Sequence, residues 1–371
     1  MEAIRILHVV TKMDAAGLET LLMNIYRNID RNKIQFDFLT HRSTEGFYDK
    51  EIKELGGHIY HVPPINPLKH NEYLSALDGF FWNKRHEYKI VHSHINTFSM
   101  YPLRAAQKVG IPIRIAHSHI ANVPLGLKTP FRLYAKWKLK KYTTYNFACS
   151  IEAGKYLFGT KAIVLDNFKV VNNAIDSKRY IYSKEIEKKI KKQLDLDNSF
   201  ILGHIGRFTK QKNHTFLIEI FKEVYKNNPS ARLVLVGEGE LEDEIKQQVV
   251  KNDLEKVVLF LGVKDNISEL IQAFDVFVLP SLFEGLGIVA IEAQAAGIPC
   301  LVSEAVPNEA YLTDIIYSQS LKDDANKWSN AVLELKNKKK MNTSMQILSS
   351  GYDIKEESKK LQSFYEKVYE S

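Results

Sequence analysis

A chain of 371 residues is too long for one comfortable hydrophobic core and suits two domains of ordinary size. Hydrophobic residues at 45% and charged residues at 26% exclude a disordered or low-complexity chain, and no stretch approaches the roughly 20 apolar residues needed to span a bilayer. The formal net charge of +7 suits an anionic partner: phosphate, anionic lipid or nucleic acid.

The first apolar run, Ile4–Val10, is interrupted by Arg5 and His8 and reads as a buried strand rather than a signal peptide. Further strands are predicted at Ile34–Leu39, His58–His61, Ile90–His94, Arg114–His117 and Tyr145–Ala148, with helices such as Glu19–Asn28 and Tyr101–Val109 between them. Before the last of these strands, Lys128, Arg132, Lys136, Lys138, Lys140 and Lys141 crowd together, interleaved with Phe131, Leu133, Tyr134, Trp137 and Leu139. Such a run is either a solvated helix face or a helix lying on an anionic membrane, apolar side down. Asn172–Asp176 reads as the turn leaving a first domain, residues 1–176, and the charged stretch Ser183–Leu196 as a linker helix.

A second series then begins. Strands are predicted at Ile201–Ile205, Arg232–Val236, Val257–Leu261, Val276–Leu279 and Pro299–Val302, with helices His214–Asn227, Leu241–Asn252, Ile267–Ala273 and Val289–Ala296 between them. These make a second domain, residues 177–350. A last helix, Ile354–Tyr369, lies in a segment 351–371 expected to pack back on the first domain. Strand and helix alternating twice over predict an α/β protein of two doubly wound, Rossmann-like domains facing across a cleft. Cys149 and Cys300 sit in apolar surroundings and read as small buried hydrophobes in a reducing compartment.

In open parallel sheets, ligands bind beyond the carboxyl ends of strands. Gly206-Arg207-Phe208-Thr209-Lys210-Gln211-Lys212-Asn213 occupies such a place, after the first strand of the second domain. Arg207 and Lys212 could clamp a diphosphate there, one by a bidentate fork and the other as a compact charge. Pro280-Ser281-Leu282-Phe283-Glu284-Gly285-Leu286-Gly287 follows another strand and leads into a helix that carries Glu292. Gly285 and Gly287 admit a ligand close to the backbone, the helix start favours an anion, and the two carboxylates suit paired sugar hydroxyls.

These segments resemble the signature of glycosyltransferase family 4, retaining enzymes of the GT-B fold. The resemblance rests on Gly206-Arg207 through Lys212-Asn213, Gly237-Glu238-Gly239, Pro280-Ser281 and the Glu284–Glu292 element, and covers nearly the whole chain. Gly17-Leu18-Glu19-Thr20, His92-Ser93-His94, His117-Ser118-His119 and Asn173-Ala174-Ile175-Asp176 resemble the bacterial exopolysaccharide and capsule branch. The resemblance implies that Arg207 and Lys212 bind the donor diphosphate, that Glu292 holds the ribose hydroxyls, and that Glu284 faces the donor sugar. It further implies backbone contacts from Gly17, Gly206, Gly285 and Leu286, a base contact from Val263, and a sugar contact from His119, with His117 second. Where the family usually has two adjacent glycines before the first helix, this chain has Ala16-Gly17.

No metal or cofactor is expected, because Arg207, Lys212 and a helix N-terminus already bring the positive charge that a metal would supply. The expected activity is hexosyl or N-acetylhexosaminyl transfer from a nucleotide-diphosphate sugar, taken as a UDP-sugar. The acceptor is a polyprenyl-diphosphate-linked or glycan chain in cell-surface polysaccharide synthesis. The enzyme is expected in the cytoplasm, peripheral at the inner face of the plasma membrane through Lys128, Arg132, Lys136, Trp137, Lys138, Lys140 and Lys141. A nucleotide-sugar epimerase and a glucan- or sucrose-type synthase share the fold and are the nearer rivals. A nicotinamide oxidoreductase lacks its Gly-x-Gly-x-x-Gly after the first strand. A non-catalytic polyanion-binding protein leaves the charged loops without a task, and no nucleic-acid module is present.

Overall fold

A computed structural model describes residues 3–120 and 129–370. The chain divides into two compact units, Met1–Ile175 with Asp353–Ser371, and Asp176–Tyr352.

The first unit is built on seven parallel strands, β1 (Ile4–Val9), β2 (Ile34–Thr40), β3 (Ile59–His61), β4 (Ile90–Ser93), β5 (Ile113–Ser118), β6 (Tyr145–Ala148) and β7 (Phe168–Val170), in the order β3-β2-β1-β4-β5-β6-β7. Helices cover both faces, so central strands are apolar almost throughout; Ile6, Leu7 and Val9 of β1 are fully buried. One polar exception is a clamp. Buried Asp37 on β2 accepts from Arg5 Nε at 2.6 Å, from the Tyr88 hydroxyl at 2.8 Å and from the His58 backbone at 2.7 Å. Fully hydrogen-bonded in this way, a buried carboxylate can remain charged. The last helix, Ile354–Glu370, belongs to this unit: Ile354, Leu361, Tyr365 and Val368 enter its core beside helix Gly17–Asn28.

The second unit has six parallel strands, β8 (Phe200–Ile205), β9 (Ala231–Val236), β10 (Val258–Phe260), β11 (Val276–Leu279), β12 (Cys300–Ser303) and β13 (Ile316–Gln319), ordered β10-β9-β8-β11-β12-β13. Each sheet reverses its winding once, at β1/β4 in the first unit and at β8/β11 in the second. Connections diverge at such a switch point, leaving a crevice at the strands' carboxyl ends where ligands collect.

Two strands were not expected, β7 and β13. Both are short edge strands, which carry the weakest apolar signal. The charged stretch expected to be a linker is instead an integral part of the second unit. Its helix, Lys184–Gln193, is fastened by Lys191 to Asp275 at 3.1 Å and by Lys340 to Glu187 at 2.7 Å. A helix can be polar on most of its surface and still dock through one buried side chain, in this case Ile190, and a ring of ion pairs.

Candidate active site

The loops that follow β8 and β11 are tied together at the switch point. Leu282 N–H donates to the Gln211 carbonyl at 2.8 Å, Gln211 Nε2 donates to the Phe283 carbonyl at 3.0 Å, and Asn213 Nδ2 donates to the Pro280 carbonyl at 3.1 Å. Asn213 takes the left-handed conformation that ends the short turn Lys210–Lys212 and starts helix His214–Asn227. Gly237 lies behind them with φ +130°, and a Cβ there would stand 2.3 Å from the Gly206 carbonyl oxygen. Only glycine lets the turn after β9 pass this close to the backbone that presents Arg207.

Lys212 and Glu284 meet directly, Nζ to Oε1 at 2.6 Å, both side chains largely withdrawn from water. Gln211 Nε2 adds a contact to the other carboxylate oxygen at 3.3 Å. Arg207 stands apart: it is exposed, and among the described residues its guanidinium makes no hydrogen bond or ion pair. One cation is thus held in a network and the other is free to meet an anion. Gly287, with φ +79°, turns the chain into helix Ile288–Ala295, while the Leu286 side chain is buried beneath the turn. Glu292, on the second turn of that helix, accepts from the Tyr180 hydroxyl at 2.9 Å. Burial pushes its pKa up to about 7, against the opposing pull of Tyr180, Arg179 and Lys212. Val263 is half-exposed just beyond β10, after Gly262 at φ +65°.

The first unit brings five imidazoles together. His8 faces inward from β1, His92 and His94 from β4 and the residue after it, and His117 and His119 likewise from β5. His8 Nδ1 pairs with His94 Nε2 at 3.0 Å, and His94 Nδ1 with His119 Nε2 at 3.0 Å. His92 Nε2 pairs with His117 Nδ1 at 3.1 Å, and His92 Nδ1 with the Tyr365 hydroxyl at 2.6 Å. Burial lowers all five pKa values, those of His8 and His119 to about 3, so every ring is neutral at pH 7. Two triads, His8/His92/His94 and His94/His117/His119, have ring nitrogens close enough to share a metal, and these nitrogens largely hydrogen-bond one another.

Both halves of the chain match families of known proteins. The family model for Glycosyltransferase Family 4 matches residues 15–179, and that for Glycosyl transferases group 1 matches residues 185–346. EpsF of Bacillus subtilis (strain 168), a glycosyltransferase by name, is 34% identical over 343 residues, 88% of this chain and 86% of EpsF. The chain belongs to glycosyltransferase family 4.

A UDP-Gal:alpha-D-GlcNAc-diphosphoundecaprenol alpha-1,3-galactosyltransferase of Escherichia coli is 32% identical over 232 residues, 59% of each chain. Among solved structures, Anabaena HepE in complex with UDP and glucose matches with a TM-score of 0.80 over 98% of this chain and 99% of HepE; at 19% identity this speaks for the GT-B fold alone.

Within this family 4 glycosyltransferase, the expected donor-binding residues of the second unit gather at its switch point: Gly206, Arg207, Lys212, Glu284, Gly285 and Leu286 in two joined loops, Glu292 on the helix they lead into. Gly17 is the exposed first residue of helix Gly17–Asn28, capped by Ala16 with no side-chain hydrogen bond. Its backbone N–H is among those a helix start leaves for other partners. Helix Thr129–Leu139 buries Ala135 and Leu139 and turns Leu133 (60% exposed), Tyr134 (51%) and Trp137 (66%) outward. Lys140 and Lys141, in the turn that follows the helix, are exposed. Arg132, Lys136 and Lys138 flank the outward side, and Lys138 stacks on the Trp137 ring at 4.7 Å. Lys128 lies outside the described residues. No described helix is long and apolar enough to cross a membrane.

Sequence reasoning passed over Tyr180, Gln211, His8 and Tyr365. His8 interrupts an apolar strand and so left a visible signal. Tyr365 looked like any apolar position of an amphipathic helix.

Proposed function

We propose that this enzyme is a retaining glycosyltransferase that takes a hexose or N-acetylhexosamine from a UDP-sugar and places it on a lipid-linked or glycan acceptor. The observation that carries this reading is the tying of the β8 and β11 loops at the switch point, which joins Lys212 to Glu284, with Arg207 on the first of these loops and Glu292 on the helix that follows the second. Arg207 and Lys212 receive the diphosphate and stabilise the charge that grows as it leaves. Glu292 takes the ribose hydroxyls, and Val263 contacts the base. Glu284, steadied by Lys212 and Gln211, accepts from the donor sugar's hydroxyls and is no covalent nucleophile. His119 supplies a hydrogen bond to the sugar being moved. The acceptor hydroxyl attacks on the face the diphosphate departs from, so the anomeric configuration is retained. The two cations and the helix N-terminus supply the charge, and the chemistry needs no metal.

The galactosyltransferase relative, whose name includes a diphosphoundecaprenol-linked sugar, supports a polyprenyl-diphosphate acceptor. The outward Leu133, Tyr134 and Trp137 with Lys140 and Lys141 support docking on an anionic membrane, because an interfacial helix needs its apolar side chains on the outside. The test is transfer from radiolabelled UDP-, GDP- and ADP-sugars with and without a polyprenyl-diphosphate-sugar acceptor, in chelator. Label should move to lipid from a UDP-sugar only, and chelator should not matter. Calorimetry that detects no binding of any nucleoside diphosphate would refute the assignment, and a rearranged donor without transfer would indicate an epimerase.

A further inference from the structure

The buried polar groups of the first unit form two hydrogen-bonded rows. One runs Tyr365–His92–His117 and ends at His117 Nε2, which has no partner among the described residues. The other runs His8–His94–His119, and both its ends, His8 Nε2 and His119 Nδ1, are unpartnered among those residues. A neutral imidazole carries one N–H and one lone pair, so the direction of the first bond in such a row dictates all the others.

The first row has a fixed direction. The Tyr365 hydroxyl is buried, and among the described residues its hydrogen bond is to His92 alone. A phenol has one hydrogen. Either direction leaves one buried donor unpaired, the His117 N–H or the Tyr365 O–H, but accepting from His92 would also leave the His117 Nε2 lone pair unmet, and it would set the weaker acceptor, a phenol oxygen, in place of an imidazole nitrogen. Tyr365 therefore donates. His92 must then donate from Nε2 to His117 Nδ1, and the proton of His117 lies on Nε2. The second row has no such anchor. Its two directions are equivalent, and His119 Nδ1 holds a proton in one and a lone pair in the other.

We infer that Tyr365, acting through His92, is a positioning residue that locks His117 as an Nε2–H donor, while the adjacent His119 is left free to donate or accept. The two rings lie 4.0 Å apart by centroid. One carries a committed donor and the other an adaptable nitrogen, both closed off from solvent and unpartnered among the described residues, and a buried N–H without a partner is the kind of group a substrate oxygen would complete. The identity of that ligand, an oxygen of the transferred sugar, rests on the proposed function; the tautomer itself does not.

The test is long-range nitrogen–proton correlation NMR on protein labelled with nitrogen-15 histidine, His117 being assigned by its loss in His117→Gln. Wild-type His117 should show the Nε2–H form alone and His119 an average of both forms. Tyr365→Phe keeps the ring in the core and should turn His117 into a mixture, with kcat falling about tenfold, the order expected for one lost hydrogen bond. His92→Gln is the rescue: its amide oxygen accepts from Tyr365 and its NH2 donates to His117 Nδ1, so the tautomer and most of the rate return, while His92→Leu restores neither. A wild-type His117 protonated on Nδ1, or one unchanged by Tyr365→Phe, would overturn the inference. Wild-type protein that shows the locked tautomer yet transfers no sugar would refute the function and leave the relay standing.

Discussion

Replacing Glu292 by glutamine should stabilise the protein in mild alkali while weakening its hold on a nucleotide sugar. The side chain is 8% exposed, one oxygen accepts from Tyr180, and burial raises its pKa from 4.5 to about 7. Because the folded value lies above the unfolded one, this group's contribution is fully present below pH 4.5 and is lost as pH rises through 7. At 1.36 kcal/mol per pH unit, holding the carboxylate in place costs about 3 kcal/mol above pH 7. Glutamine keeps the oxygen that Tyr180 needs and carries no charge. For a domain of this size, Glu292→Gln should raise Tm by about 5–10 °C at pH 8, with the two melting curves converging near pH 5. In the proposed donor complex a ribose held by Glu292 reverses the sign, since two hydroxyls donating to the carboxylate would favour its charged form. Affinity for UDP-glucose should therefore climb as pH rises towards 7 in the wild type and stay flat in the variant. A nucleotide sugar is the right probe, because a terminal phosphate monoester would titrate in the same range. Melting curves that stay parallel from pH 5 to 8.5 would show that Glu292 is not a strained carboxylate.

The two cations should separate by their effect on folding. Arg207→Ala and Lys212→Ala should each slow transfer about 30- to 1000-fold, as loss of a preorganised charge does. Only Lys212→Ala, which strands Glu284, should also lower Tm. Gly237→Ala places a Cβ 2.3 Å from the Gly206 carbonyl at a φ of +130° and should destabilise by about 1–3 kcal/mol while weakening donor binding; calorimetry and melting curves check both. Leu133→Ser with Trp137→Ser should abolish sedimentation with anionic vesicles at low salt and leave UDP-glucose affinity unchanged.

Sheet architecture was legible because both units repeat one local pattern, an apolar strand and then an amphipathic helix, and burial on both faces makes central strands mostly apolar, with polar residues gathered towards their carboxyl ends. Edge strands β7 and β13 lack that pressure and gave no comparable run. The second-unit residues were legible for a related reason: glycines at fixed offsets from Arg207 and Glu284 mark backbone that must pass close to something. Pairings between distant residues were not. Nothing in the spacing of Lys212 and Glu284 says that they join each other, and nothing around Glu292 points to Tyr180. The histidine pairs on β4 and β5 were visible, but the row through His92 and His117 is closed by Tyr365, more than 240 positions after His119 along the chain, on a helix whose sequence shows only its apolar face.

The two units differ in the kind of polarity they offer. The second carries permanent cations, whereas the first gathers five imidazoles in surroundings that keep each of them neutral at pH 7. In the proposed reaction, negative charge builds on the diphosphate and positive charge on the sugar's anomeric carbon. A cation helps the first and opposes the second, so groups that hold the sugar should be polar without being charged. Burial achieves this for histidine, a side chain whose ordinary pKa near 6.5 would leave it partly protonated. Two results should follow. The rate profile between pH 5.5 and 9 should show an acid limb near pH 7 from Glu292 and none from the histidines. His119→Asn, a neutral donor and acceptor, should keep the rate within about tenfold of wild type, since it forgoes about one hydrogen bond. His119→Lys should be far slower at unchanged UDP affinity. A lysine variant as fast as the asparagine one would mean that charge at this position is immaterial to the transition state, and that the histidines are buried for packing rather than for catalysis.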